Sequence, residues 1–268
     1  MRLPMKGMLL AAWRFRNFIF SSIRNDFRAR IARSKLGGAW MILHPLAQVL
    51  MYALVLSAVL SAKLPGIDNR FAYAIYLCAG ILAWSLFSEI VSRCLTLFID
   101  NGNLMKKVAF PKISLPLIVT GSVLVNNALL LVSIVFIFAL LGHYPGADVL
   151  WLPLLFVITI MLALGMGLVL GVLNVFMRDI GQVVPVVLQF AFWFTPIVYS
   201  SGMIPENYRG WLAFNPMYHV ATAYQNVLVY NRAPEWKGLL MVAVLGMVLL
   251  GFSLLLFRRA SAEMVDAL

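Results

Sequence analysis

Charged residues are scarce in this chain, and acidic residues are the scarcest. Of its 268 residues, 12% are charged and 10 are Asp or Glu, whereas 63% are hydrophobic. A soluble globular domain carries about 25% charged residues and about 45–50% apolar residues. The composition therefore excludes an ordinary soluble domain and predicts a protein whose outer surface faces lipid.

The motifs of catalysis and of ligand binding are missing as well. The sequence contains no Gly-rich loop ending in Gly-Lys-Ser or Gly-Lys-Thr, which excludes the usual phosphate-binding loop for nucleotides. It contains no His-Glu-x-x-His motif, and its 3 histidines are scattered. Cys78 and Cys94 are expected to be small buried side chains rather than a disulfide framework or a metal site. We therefore expect no catalytic site, no metal site and no cofactor in this chain.

Apolar runs that are too long and too free of charge for a soluble core lie at residues 50–60, 123–141, 150–176 and 239–257. The hydrocarbon layer of a bilayer is about 30 Å thick and needs about 20 residues of helix. Every backbone polar group in lipid must be paired within its own segment, so these runs should be helices. The sequence predicts an all-α membrane protein with six transmembrane helices, at about 40–62, 71–91, 113–141, 150–176, 183–199 and 239–257.

By composition the chain divides into an N-terminal interfacial segment at 1–36, a transmembrane domain at 37–260 and a short cytoplasmic tail at 261–268. Within the first part, residues 8–31 have the pattern of an amphipathic helix, with Phe15, Ile19 and Ile23 on one side and arginines on the other. A basic amphipathic helix lies in the membrane interface, where apolar burial and anionic lipid hold it.

Two further segments have a helical pattern but are too polar to span a membrane. Residues 97–110, between spans two and three, are expected to form a short amphipathic helix, in which Asp100 near the start and Lys106 and Lys107 near the end suit the helix dipole. Residues 200–235 are rich in Trp and Tyr, which favour the membrane interface. We expect two short helices there, lying at the interface or dipping into it.

The net charge of +11 is better explained by membrane topology than by nucleic-acid binding. With the N-terminus inside and six spans, the inner segments carry sixteen basic residues and the outer segments carry five. Cytoplasmic loops of membrane proteins carry the excess of Lys and Arg. Both termini are therefore expected to lie in the cytoplasm, and no nucleic acid is expected as a partner.

The chain contains no visible energy source, so a role in transport requires a partner ATPase that docks on its cytoplasmic surface. The candidate docking surfaces are the N-terminal helix and segment 97–110, which is otherwise a plain solvated loop. Glu89 is the one clear charge inside a predicted span. It is either a proton or cation site or a structural pairing partner, and we favour the pairing.

Two sets of residues are candidate substrate contacts. A basic run before the first span either sets the topology or binds a phosphorylated lipid headgroup, because guanidinium groups pair bidentately with phosphate. Aromatic residues in and after span five either stack on sugar rings or face lipid. The basic run is Arg24, Arg28, Arg30, Arg33 and Lys35, and the candidate glycan path is Phe190, Trp193, Phe194 and Tyr199.

An ordered set of short segments runs through nearly the whole chain. It comprises Arg28-Ala29-Arg30, Ser34-Lys35-Leu36-Gly37, Trp40, Pro45, Phe110-Pro111-Lys112, residues 174–179, residues 193–199 and Asn215-Pro216-Met217. Together these segments resemble the membrane subunit of type-2 ABC exporters, in the polysaccharide-export branch that includes O-antigen and capsule permeases.

The resemblance implies two copies of this chain and two copies of a separate ATPase, which would bind ATP and Mg²⁺. It implies periplasmic re-entrant or gate helices within 200–235. Members of this branch export a glycan on a lipid carrier, commonly undecaprenyl diphosphate, so the basic run would meet a diphosphate. It also implies a coupling helix in segment 97–110, with contacts from Asp100, Asn101, Asn103, Leu104, Lys106 and Lys107.

We therefore expect the permease subunit of an ATP-driven exporter that moves a lipid-linked, O-antigen-like polysaccharide across the bacterial inner membrane. The alternatives among transporters are export of capsular polysaccharide, of a teichoic-acid-type polymer, or of a small molecule or drug. Outside transporters, the alternatives are a non-transporting scaffold and a membrane-bound glycan-processing enzyme. The enzyme would need acidic or histidine clusters at a membrane boundary.

Overall fold

The computed structural model describes residues 13–32, 43, 47, 72–107, 110–140, 142–200, 202, 204–261 and 263–264. The regular elements within these ranges are helical, in agreement with the predicted fold class. The predicted span at 40–62 lies outside the described residues, apart from Leu43 and Ala47. The helices are α1 (Arg16–Ala32), α2 (Ala72–Asp100), α3 (Gly102–Lys107), α4 (Ser114–Leu140), a 3₁₀ helix (Ala147–Trp151), α5 (Leu152–Phe176), α6 (Ile180–Phe194), α7 (Glu206–Leu212), α8 (Pro216–Leu228) and α9 (Trp236–Ala260).

Four segments of the described chain are helices long and apolar enough to cross a membrane: Tyr73–Asp100, Ser114–Ala139, Ala147–Phe176 and Trp236–Ala260. Ile180–Phe194 is a shorter apolar helix. A helix rises about 1.5 Å per residue, so the four longer segments reach or exceed the thickness of the hydrocarbon layer. The six-span count and the division into 1–36, 37–260 and 261–268 stay predictions.

Two helices end at residues other than the ends of the predicted spans, which stay untested as membrane boundaries. Helix α2 continues past residue 91 to Asp100, because Leu95 and Phe98 keep the helical spacing of buried side chains. Helix α6 ends at Phe194 instead of continuing to 199. Pro196 has no N–H and restricts the residue before it, and Thr195 is extended at φ −98° and ψ 133°.

Helix α5 lies at the centre of the described bundle, between α2 and α9. Helix α4 packs on another side of α2, and α1 packs on α4. A Cβ on Gly165 would lie 2.7 Å from the backbone nitrogen of Leu250, so α5 and α9 touch backbone to backbone there. Small residues permit such approaches where lipid supplies no hydrophobic driving force between helices.

The described bundle has two chemically different ends. The basic end comprises α1, α3, the C-terminal ends of α2, α5 and α9, and the start of α4. The loop end comprises the 3₁₀ helix, the described residues between α6 and α9, which include α7 and α8, and the first turn of α9. Helices α7 and α8 fall within the stretch where two short helices were predicted. The basic end holds Arg14, Arg16, Arg24, Arg28, Arg30, Arg93, Lys106, Lys107, Lys112, Arg178, Arg258 and Arg259, whereas the loop end holds Arg209, Arg232 and Lys237.

Candidate functional site

The segment predicted as one amphipathic helix at 97–110 is divided in the structure. Leu97 to Asp100 form the last turn of α2, and a separate short helix, α3, follows at Gly102–Lys107. The side chain of Asn101 donates to the carbonyl of Leu97 at 2.8 Å and occupies the step between the two helices. Within its described residues, the short amphipathic helix predicted at 97–110 is thus divided between the last turn of α2 and α3. The break is slight, because the N–H of Asn101 still bonds to the carbonyl of Leu97 at 3.2 Å and that of Met105 to the carbonyl of Asn101 at 2.9 Å.

The polar side chains of helix α3 are exposed, and one buried methionine anchors the helix to the bundle. Met105 is buried in a cluster that also contains Phe98 of α2, Leu115 of α4 and Phe257 of α9. The rings of Phe98 and Phe257 are stacked with their centroids 5.2 Å apart. The same cluster includes Val172 of α5, so a force on α3 would reach four long helices through one packed cluster. The exposed side chains on this surface are Asp100, Asn103, Leu104, Lys106 and Lys107.

The step from α3 into α4 is also tied to its surroundings. The ring of Phe110 lies 6.2 Å from that of Phe18 in α1, centroid to centroid. The ammonium of Lys112 donates to the carbonyl of Ser261, just after α9, at 2.7 Å. Burial lowers the pKa of Lys112, and this hydrogen bond gives the charged form a partner. The Phe-Pro-Lys motif thus joins α1 and α9 at the basic end.

Of the predicted basic run, the described side chains are Arg24 and Arg28, which lie one turn apart on α1 and are exposed. Arg30 lies in the same helix, and Arg33 and Lys35 lie outside the described residues. Helix α1 turns Ile19, Ile23 and Phe27 partly inward, as the amphipathic pattern predicted. Ile23 lies so close to Gly121 of α4 that a larger residue at 121 would collide with it.

A charged network joins α1 to two of the long helices. Arg93 of α2 contacts Asp26 of α1 at 3.3 Å and Glu89 at 3.4 Å. Glu89 in turn accepts a hydrogen bond of 2.9 Å from the side-chain amide of Asn126 in α4. The structure therefore supports the pairing that was favoured for Glu89. The roles of Asp26 and Asn126 were missed; for Asn126 the available signal was a polar residue in an apolar helix, whereas Asp26 lies on a polar helix and gave no such signal.

The predicted glycan-path residues divide into two groups. Phe190, Trp193 and Phe194 have the i, i+3, i+4 spacing of one helical face and are exposed on α6. Their neighbour Phe192 is buried, and its ring meets that of Trp84 edge to face at 5.6 Å. Tyr199 lies beyond the helix and is partly buried, so it does not continue the exposed face.

The turn after α6 is held by buried donors that sequence reasoning missed. The hydroxyl of Tyr76 donates to the carbonyl of Pro196 at 3.1 Å, and the side-chain amide of Gln225 donates to the same carbonyl at 3.0 Å. The hydroxyl of Tyr73 donates to the carbonyl of Val198. These bonds fasten the turn to α2 and α8, and no local pattern signalled them, because the donors lie 29 to 125 residues from their acceptors in the chain.

The Asn-Pro step before α8 has a double role. The side-chain oxygen of Asn215 accepts a hydrogen bond from the N–H of Met217 at 3.0 Å and so caps the helix. Its side-chain nitrogen donates to the hydroxyl of Thr195 at 3.0 Å. Pro216 occupies the first helical position, where a missing N–H costs nothing. One residue therefore starts α8 and ties it to the turn after α6.

Comparison with known proteins places these features in a family. Residues 17–229 match the family described as ABC-2 type transporter. The chain is 28% identical over 258 residues to the O-antigen export system permease protein RfbA of Myxococcus xanthus, covering 96% of this chain and 97% of that protein.

Two other relatives have similar coverage. An O-antigen export system permease protein RfbA of Klebsiella pneumoniae is 25% identical over 247 residues, which are 91% of this chain and 92% of that protein. The polysialic acid transport protein KpsM of Escherichia coli is 24% identical over 247 residues, which are 90% of this chain and 93% of that protein. Because the family match covers most of the chain, the predicted resemblance is confirmed. The chain belongs to the ABC-2 type transporter family of membrane proteins.

Proposed function

We propose that this chain is the permease subunit of an ATP-driven exporter that moves a lipid-linked, O-antigen-like polysaccharide across the bacterial inner membrane. The observation that carries the proposal is its similarity, over nearly the full length of both chains, to O-antigen export permeases of two bacteria. A six-span topology with both termini in the cytoplasm belongs to the same proposal. The positive charge gathered at the basic end supports this orientation.

A partner ATPase docks on the exposed surface of α3, and the working complex contains two copies of each subunit. The ATPase binds ATP and Mg²⁺, and this chain binds neither. The surface consists of the exposed side chains from Asp100 to Lys107, held by Met105 in the cluster shared by α2, α4, α5 and α9. Packed interiors transmit displacement because their side chains are close-packed, so movement of α3 shifts the long helices.

The lipid carrier, of the undecaprenyl diphosphate type, meets the basic run on and after α1. Arg24 and Arg28 support this contact because both are exposed on α1. Aromatic side chains of the same helix are exposed as well, as is typical of a helix at the membrane interface. Guanidinium groups bind phosphate oxygens bidentately. Arg30, Arg33 and Lys35 complete the proposed contact.

The glycan passes the exposed aromatic face of α6, formed by Phe190, Trp193 and Phe194, with Tyr199 beyond it. The path lies between two copies of this chain. The exposure of the three helical aromatic side chains supports the proposal, because an aromatic face offers sugar rings a flat apolar surface to stack on.

Capsular polysaccharide is the second candidate substrate. The similarity to a polysialic acid transport protein favours it, although that identity is lower than the identity to the first O-antigen export permease. Both candidates are polysaccharides, so the proposed export by a permease with a partner ATPase is the same for the two and only the polymer differs.

The coupling role is tested by the double substitution Lys106→Glu and Lys107→Glu. Both side chains are exposed, so the fold should tolerate the change. Reversing their charge should reduce co-purification of the ATPase and leave finished glycan inside the cell, while the amount of inserted permease stays at the wild-type level. The matched control is Lys237→Glu, an exposed lysine at the loop end, and it should export normally.

Wild-type export by the double variant would contradict docking at α3. A separate measurement tests the substrate: a cell without this chain should accumulate lipid-linked glycan internally and lose it from its surface. Unaltered surface glycan in that cell would overturn the proposed function.

A further inference from the structure

The residues directly after α9 pack against the bundle. Of the predicted cytoplasmic tail at 261–268, the structure describes Ser261, Glu263 and Met264, which we call the tail segment. Met264 is 0% exposed and belongs to the same apolar cluster as Met105 of α3. Glu263, its neighbour, is exposed. A solvated tail would leave its methionine in water, so the tail segment is part of the fold at the basic end.

Met264 continues the buried face of α9. Ser253, Phe257 and Ala260 are the buried residues in the last two turns of that helix. Met264 follows Ala260 by four residues and Phe257 by seven, which is the spacing of one helical face. The face that packs α9 against the bundle therefore extends past the end of the helix, into the cluster that holds α3.

Two hydrogen bonds fix the beginning of the tail segment. Ser261 is the C-cap of α9, and its carbonyl accepts from the ammonium of Lys112 at 2.7 Å. Its hydroxyl donates to the carbonyl of Arg258 at 3.2 Å. The last carbonyls of a helix have no partner within it, and a cation there is favoured by the helix dipole. Lys112 lies between α3 and α4, so it holds the tail segment beside the step that joins them.

Helix α3 depends on such contacts for its position. It has six residues, and isolated helices shorter than about 12–15 residues are marginal in water. All six are described, and Met105 is the one apolar side chain among them that is buried, whereas Leu104 is exposed. The packing around Met105 therefore decides where α3 lies, and Met264 fills part of that packing.

We propose that Met264 is a positioning residue for coupling, which with Lys112 holds α3 where it can pass movement of the ATPase to the long helices. This inference rests on the proposed docking of the ATPase at α3. Without the Met264 side chain, α3 keeps its exposed docking residues, but the loosened cluster absorbs the movement. Binding of the ATPase and export of glycan should therefore separate.

The first test is hydrogen exchange of the purified full chain in detergent. Met264→Ala should accelerate exchange of the α3 amides by about tenfold or more, because truncating a buried methionine leaves a cavity. Met264→Leu keeps the volume and should restore exchange to within about twofold of the wild type. Lys112→Met removes the donor to Ser261 and should accelerate α3 exchange by about fivefold.

Two matched controls separate positioning from general loss of stability. Leu239→Ala truncates a side chain that is 1% exposed at the other end of α9, in a different cluster. It should lower the unfolding temperature and leave α3 exchange unchanged. Glu263→Gln alters the exposed neighbour of Met264 and should change neither quantity. Lys112→Met tests the same contact if Met264→Ala does not insert.

The second test measures ATPase co-purification and surface glycan per inserted permease in cells. Met264→Ala should retain the ATPase at the wild-type level and lose most export, whereas Met264→Leu and Leu239→Ala should export normally. Unchanged α3 exchange in Met264→Ala would overturn the positioning role. Faster α3 exchange with normal surface glycan would overturn the part of Met264 in coupling, and loss of the ATPase together with export would make the tail segment a docking element instead.

Failure of the proposed function gives a different result. The wild-type chain would then purify without an ATPase, or a cell without this chain would keep its surface glycan. The exchange measurement on the purified chain requires neither ATPase nor glycan, so it tests the contact between the tail segment and α3 in either case.

Discussion

Gly171 of α5 lies directly against the backbone carbonyl of Cys94 in α2. A Cβ placed on residue 171 would collide with that carbonyl oxygen and would reach the ring of Phe98 at 3.5 Å. Gly167, one turn earlier, faces the Cβ of the same cysteine at 2.8 Å. The two central helices therefore approach each other along a glycine face, which leaves no space for a methyl group.

Gly171→Ala should destabilise the chain by about 1–3 kcal/mol, because inserted methyl groups in a packed contact force the backbones apart. The measurement is the thermal unfolding midpoint of the purified chain in one detergent. Gly251→Ala is the matched control, since nothing lies within 4 Å of the added Cβ there. Equal midpoints for the two variants would contradict the close packing of α5 on α2.

Asp26→Asn should loosen α1 from the long helices, because the change removes the negative partner that Arg93 has on α1 and leaves it Glu89 of its own helix. The pair is partly exposed, at 23% and 38% of the two side chains, so a loss of about 0.5–1 kcal/mol is expected. Hydrogen exchange of the α1 amides should accelerate by about two- to fivefold. Arg14→Gln, an exposed change on the same N-terminal segment, should leave exchange unchanged. Unaltered exchange in the Asp26 variant would contradict the anchoring role.

Tyr76→Phe should weaken the turn after α6 by about 1 kcal/mol, because the carbonyl of Pro196 loses one of its two donors. Combining it with Gln225→Leu should cost more than the sum of the single changes, because the buried carbonyl then loses both donors. The free energy of unfolding of the three variants gives the coupling. Tyr144→Phe, at an exposed tyrosine, is the control and should be neutral.

The variants Trp193→Ala and Phe192→Ala, both in α6, should have different effects. The first should reduce transport, and the second should reduce the stability of the fold. Trp193 is exposed, so its truncation should reduce glycan export and change the unfolding free energy by less than about 1 kcal/mol. Phe192 is buried against Trp84, and its truncation should cost about 3–5 kcal/mol. Full export by the Trp193 variant, at wild-type protein levels, would remove that residue from the proposed path.

Much of the fold was predictable because the bilayer constrains it strongly. The predicted spans at 113–141, 150–176 and 239–257 fall on α4, α5 and α9, since an apolar segment of this length has only the helix available to it in lipid. The ends of α2 and α6 were predicted less well. Local contacts decide where these two helices end. A hydropathy average does not show that Leu95 keeps the spacing of buried residues in α2, or that Pro196 forces Thr195 at the end of α6 into an extended conformation.

The candidate site was predictable in its exposed parts and not in its internal contacts. The aromatic face of α6 follows from i, i+3 and i+4 spacing, which is local. The Arg93 to Asp26 contact joins residues 67 positions apart, and the hydrogen bond from Tyr76 to Pro196 joins residues 120 apart. The periodicity of one helix does not indicate which residues of another helix it contacts.

The amino-acid order alone determined that this protein is helical and apolar, that its positive charge is unevenly distributed, and which family it resembles. These properties depend on the order of residues that lie close together in the chain and on the free energy of transferring those residues from water to lipid. Only the tertiary structure decided that α5 is the central helix, that Met105 anchors α3, and that Arg93 of α2 pairs with Asp26 of α1. These depend on which faces meet, and packing at atomic distance selects them.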